Sequence, residues 1–153
     1  MSRALAGALT AVALLASTGL GWFVAPASAT DPLEIDQQIT DQADVLGDTQ
    51  PQVQRALDRF FDRTGDRLYV VYVPSFESAT PDEWAAATAE KSDLGPTVVL
   101  LVFATKTRAF GHVASDPKFT ADGLDAVDRD QIRPALRNDD YAKATIDATE
   151  AYG

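Results

Sequence analysis

Carboxylates dominate the chemistry available to this chain: 23 Asp and Glu stand against 13 Lys and Arg, one histidine and no cysteine. A site built from cysteine thiolates is excluded. With His112 alone, a zinc site of His and Cys ligands cannot be assembled within one chain. Several carboxylate oxygens drawn from loops suit a hard cation, Ca²⁺ or Mg²⁺, held at roughly 2.3 to 2.6 Å. Asp66, Asp93 and Asp116 are expected at one edge of the sheet described below. Asp41 and Asp44 from the lead-in, and Asp122, Asp125 and Asp128 from the start of the third helix, could join them. Acids this numerous also form loop clusters by chance. A serine triad would have to recruit His112, which falls inside an edge strand beside Ser115 and Asp116; a solvated or partly packed strand histidine is the better reading. No phosphate loop, Gly-x-Ser-x-Gly elbow or Gly-x-Gly-x-x-Gly turn follows a strand, so nucleotide binding is not expected.

The elements that must position these acids are legible from periodicity. Thr30 to Thr49 reads as a polar lead-in with a short strand or turn near Ile39 to Leu46. From Pro51, Val53, Leu57, Phe60 and Phe61 recur at helical spacing, with Asp48 or Thr49 to cap the start and Gly65 to end the helix. Arg67 to Pro74 is rich in β-branched and aromatic residues and predicts a strand buried on both faces. Thr80-Pro81-Asp82-Glu83 is a capping box with proline at the first helical position. The helix it opens runs to about Lys91, and Ser92 to Pro96 breaks it before Thr97 to Ala104, the most strand-like segment. Strand, helix, strand implies a right-handed parallel crossover. Thr105-Lys106-Thr107 is short enough for a hairpin turn into Arg108 to Ala114, an antiparallel and more polar edge strand. Thr120 to Arg137 predicts a helix that Pro134 kinks or divides. Asp139 and Asp140 can cap a last helix, Tyr141 to Tyr152, with Tyr141, Thr145, Ile146 and Thr149 inward. The fold class is α/β, a three-layer α/β/α domain with a small mixed sheet.

Arg3 is followed by an uncharged run to Ala29 that closes Ala27-Ser28-Ala29, the pattern of a secretory signal peptide cut between Ala29 and Thr30. The alternative is a retained anchor, since Leu5 to Phe23 is nearly long enough to cross a bilayer. Cleavage leaves residues 30 to 153 as one exported domain, located outside the cell or in its envelope. Without Arg3, 12 Lys and Arg face 23 acids, a formal net charge of −11. Such a surface repels phosphate backbones, so no nucleic-acid partner is expected.

The string Ile39-Thr40-Asp41-Gln42-Ala43-Asp44-Val45-Leu46 ahead of the first helix resembles the opening signature of the TPM domain family. The resemblance continues through Val53 to Thr64, Leu68 to Val73, Val98 to Phe103, Ile132-Arg133-Pro134 and Asp139-Asp140-Tyr141, covering about residues 39 to 152. It implies an extracytoplasmic α/β/α domain, in many cases attached to membrane complexes, with Ca²⁺ binding and weak acid phosphatase activity in some members. Carried over residue by residue, the metal role falls on Asp41 and Asp93, then on Asp116 and Asp128. Two departures fall near that site. Asp93-Leu94-Gly95-Pro96-Thr97-Val98 replaces the usual Asn-Gly-Val, and Ser115-Asp116-Pro117 replaces a glycine-rich turn. The expectation is therefore a monomeric accessory or interaction domain that binds an envelope or membrane protein complex, with Ca²⁺ as its cofactor. The alternative is a metal-assisted acid phosphatase.

Overall fold

A computed structural model describes residues 29–77 and 79–152; the expected signal peptide lies outside the described residues. Four strands form one mixed sheet in the order β1 (Ile39–Asp41), β2 (Arg67–Val73), β3 (Val98–Ala104), β4 (Ala109–Ala114). The first three are parallel, and β4 returns antiparallel beside β3. Both central strands are apolar almost throughout because both faces are covered.

On one face lie α1 (Gln50–Thr64), α3 (Ala121–Val127), α4 (Arg133–Leu136) and α5 (Tyr141–Ala151), packed against alternate residues Leu68, Val70, Tyr72, Val99, Leu101 and Phe103. The other face carries α2 (Pro81–Lys91), whose Trp84 and Ala85 meet Val71, Val73, Leu100 and Val102. The period of two along each strand thus sorts its side chains into two cores, one per layer. The segment Thr30 to Ile35 straps α2 from outside: Trp84 Nε1 donates to the Thr30 carbonyl at 2.7 Å, and the Leu33 and Ile35 amides donate to Thr88 Oγ1 and Ser92 Oγ.

The α2 capping box forms as expected, with Thr80 and Glu83 exchanging bonds. Gly65, at φ 77°, ends α1 in the left-handed conformation open to glycine, and Asp140 caps α5 through the Lys143 amide. Two boundaries differ from the sequence reading. Neither Asp48 nor Thr49 caps α1. A 3₁₀ turn, Gly47–Thr49, runs straight into the helix, and the Thr49 hydroxyl is engaged backwards on the Leu46 carbonyl. The third helix is divided ahead of Pro134, by a π-helical turn at Asp128–Ile132. Pro134 then sits in the first turn of α4, where its missing N–H matters least. Within α5, Ala144 and Ala148 are fully buried while Ile146 is only partly so.

Gly111 marks the closest approach between layers. A Cβ there would lie 2.4 Å from the Pro81 carbonyl carbon and 2.8 Å from the Asp82 nitrogen. The first turn of α2 therefore presses on the free edge of β4, and Asp82 Oδ1 accepts the His112 amide at 3.2 Å.

Candidate functional site

The parallel register separates the acids that the sequence reading grouped. Asp41 ends β1 opposite Tyr72, at the C-terminal end of the parallel strands. Its carboxylate accepts the Val45 and Leu46 amides at 3.0 and 2.9 Å, which shapes the loop into α1. Asp93, exposed in the turn from α2 to β3 with φ 49°, lies at the opposite end. Asp116 shares that end because β4 runs the other way. Asp128 stands apart on the π turn, against β4. A single cation cannot be shared between Asp41 and the Asp93–Asp116 end. Among the described residues no three His, Asp or Glu side chains are grouped to hold a metal ion. The four residues taken from the resemblance do not fit one Ca²⁺ site.

Asp66 and Asp116 do meet, but around a lysine. Lys118 Nζ pairs with the buried Asp66 carboxylate, lies 3.6 Å from Asp116 Oδ2, and donates to the Thr64 carbonyl at 3.1 Å. Its hydrogen bond to Asp66 holds the ammonium above its ordinary pKa. The counter-charge a cation would supply is covalently part of the chain. Only Pro117 lies between Asp116 and Lys118, so that half of the contact is local in the sequence, while the reach to Asp66 is not.

His112 is partly packed, its side chain 16% exposed, with Nδ1 3.6 Å from Asp128 Oδ1. Among the described residues neither atom has a hydrogen-bond partner, nor does the Tyr152 hydroxyl. Burial raises the Asp128 pKa, opposed by the His112 and Arg133 charges. Burial likewise raises Tyr152. At 3.6 Å the pair is not hydrogen-bonded, and among the described residues no serine is hydrogen-bonded to His112.

The constellation that sequence reading missed is basic. Arg108 from the β3–β4 turn, Phe110 on β4, Arg133 and Leu136 on α4, and Arg137 just past its end line an open groove of about 320 Å³. Arg108 grips Asp139 through two bonds, Nε to Oδ1 at 2.6 Å and Nη2 to Oδ2 at 2.7 Å. That pairing holds the Asp139 carboxyl below its usual range. Arg108 and Asp139 have φ of 53° and 54°, left-handed values that non-glycine residues seldom adopt. The Arg133 guanidinium lies 5.6 Å from the centre of the Phe110 ring, within cation–π range. The spacing of Arg133 and Arg137 puts both on one helix face, a signal present in the sequence; the arrival of Arg108 from a hairpin is not.

The TPM domain profile matches residues 39–153. This chain belongs to the TPM domain family. Two mycobacterial relatives, the UPF0603 proteins Rv2345 and MT2410 of Mycobacterium tuberculosis strains H37Rv and CDC 1551, are each 35% identical over 126 residues. The match takes in 80% of this chain but 19% of those proteins, so the TPM domain spans about a fifth of the curated relatives. The same architecture recurs in the N-terminal domain of the cg2496 protein of Corynebacterium glutamicum. There the TM-score is 0.67 at 21% identity, covering 82% of this chain and 84% of that one. It recurs also in the N-terminal domain of a P. gingivalis protein, with a TM-score of 0.69 at 20% identity, covering 82% and 90%. At such identities these structures speak to fold alone.

Proposed function

We propose that this TPM domain is an exported binding module of the cell envelope, acting by holding a protein partner and not by turning over a substrate. The observation that carries the reading is the commitment of its acids. Asp41 fixes a loop through two amides, Asp66 is neutralised by Lys118, and Asp139 is gripped by Arg108. A metal-assisted phosphomonoesterase would need carboxylates converging on one cation beside the phosphate, together with a group to orient water. Asp93 and Asp116 share one end of the sheet, but Asp116 already faces the Lys118 ammonium at 3.6 Å, Asp41 lies at the other end, and Asp128 stands apart on the π turn. Export rests on the Ala27-Ser28-Ala29 ending of the apolar run. The module reading is supported by the small share of the mycobacterial relatives that the domain spans. Calcium enters this proposal as a weak counterion of an acidic surface.

Crosslinking the purified protein to envelope extract, with identification of the captured proteins, tests the proposal. A reproducible partner lost on denaturing the domain is expected. Hydrolysis of an aryl phosphate that requires a divalent cation and disappears in Asp93→Asn would replace this reading with the enzyme. An amide NMR titration with CaCl₂ should give small shifts spread over many acids; shifts confined to Asp41, or to Asp93 and Asp116, would restore a specific calcium site.

A further inference from the structure

The arginine groove stands out against the charge of the molecule. A chain of formal net charge −10 gathers three of its thirteen basic residues, Arg108, Arg133 and Arg137, around the half-buried Phe110 and the buried Leu136. Only Arg108 is neutralised; among the described residues Arg133 and Arg137 form no ion pair. The groove begins at the turn between β3 and β4, at the C-terminal end of the parallel strands, the usual place for recognition in open α/β sheets. Its rim already displays the chemistry it selects, since Asp139 is held there by a fork-to-fork bond from Arg108. Arginine beside aromatic and aliphatic side chains is also the composition of interface anchors.

The geometry points to an acidic segment of a partner protein as the occupant, with its carboxylates on Arg133 and Arg137 and an apolar side chain against Phe110 and Leu136. This rests on the binding-module reading and names the partner's chemistry. A free phosphate or phosphomonoester fits less well. The guanidinium of Arg133 lies over the Phe110 ring, and the apolar floor formed by Phe110 and Leu136 would gain nothing from a small, fully hydrated anion. The openness of the groove suits a chain lying across it better than a ligand enclosed within it.

The test uses the purified protein and three probes: a short peptide alternating Glu and Leu, the same peptide with Lys for Glu, and inorganic phosphate. Fluorescence anisotropy should detect the acidic peptide and not the basic one. Amide shifts should cluster at Phe110 and Arg133 to Arg137, and affinity should fall steeply with salt. In Arg133→Ala/Arg137→Ala, two exposed positions, binding should weaken by about tenfold or more, with an unchanged circular dichroism spectrum. Equal binding by wild type and the double variant overturns the proposal. So does the absence of acidic-peptide binding, and so does inorganic phosphate that occupies the groove at micromolar concentration and displaces the peptide. An envelope partner captured equally by the double variant would sink the groove while leaving the binding module standing; capture of no partner by either protein would remove the module as well.

Discussion

The two ends of the sheet each carry a basic residue facing an acid, and they handle it differently. Where β2 and β3 begin, the Lys118 ammonium reaches a carboxylate that is 3% exposed and also donates to the Thr64 carbonyl. Where β3 turns into β4, Arg108 and Asp139 are both 56% exposed and meet in water. The first pair holds a charge that folding has already removed from solvent, so separating its partners strands a desolvated ion. The second joins two surface turns and could be replaced by hydration at little cost in stability. One end is built into the fold; the other is free to serve recognition.

Breaking the inner pair should have the largest effect. In Lys118→Ala the Asp66 carboxylate keeps its burial and loses its ammonium, and the urea midpoint should fall further than in Asp66→Ala, where the lysine is left able to turn to solvent. For Asp66→Ala, loss of a charged hydrogen bond corresponds to about 2 kcal/mol in urea unfolding; equal midpoints for the two variants would contradict the asymmetry. Next comes the buried hydroxyl near the opposite end of the same strand: Tyr72 and Thr145 share a hydrogen bond of 2.6 Å, and Tyr72→Phe should lower stability by about 1 kcal/mol.

The smallest effect belongs to the outer pair. Arg108 depresses the Asp139 pKa, so at low pH the unfolded chain takes up this proton first. The contribution is present above the ordinary aspartate value of about 3.9 and is lost as pH falls through the lower folded value. Asp139→Asn should flatten that slight acid slope by losing the contribution at neutral pH, so its midpoint falls only slightly at pH 7 and approaches wild type at low pH, and about 1 M salt should flatten the slope of wild type. A large shift at pH 7 would mean that the two ends are not so different.

How much of this was legible depended on whether a contact is local. The α2 capping box, the Gly65 stop, the Asp140 cap and the β3–β4 hairpin are settled within a few residues, and the three-layer architecture follows from two buried strands joined through a helix. The start of α1 was misjudged because the Thr49 hydroxyl had a competing acceptor behind it. The break in the third helix fell before its proline because the π turn Asp128–Ile132 widens the helix ahead of Pro134. For the site, chain order suggested that Asp66 and Asp116 would approach each other, as they do, but not that Lys118 would stand between them. Asp41 was grouped with acids from the far end, and only strand polarity separates them. Arg108 reaches Asp139 across 31 residues, a distance over which no pattern of spacing carries information.

The approach of α2 to Gly111 has a consequence for self-association. An uncovered edge strand is a template on which another copy can add a strand and begin a fibril. Along β4 that template is obstructed: the His112 amide is taken by Asp82, and the Pro81 backbone occupies the space beside the glycine. Aggregation through this margin must wait until the first turn of α2 lifts away. Its rate should then follow the local opening of one helix and not the global unfolding of the domain.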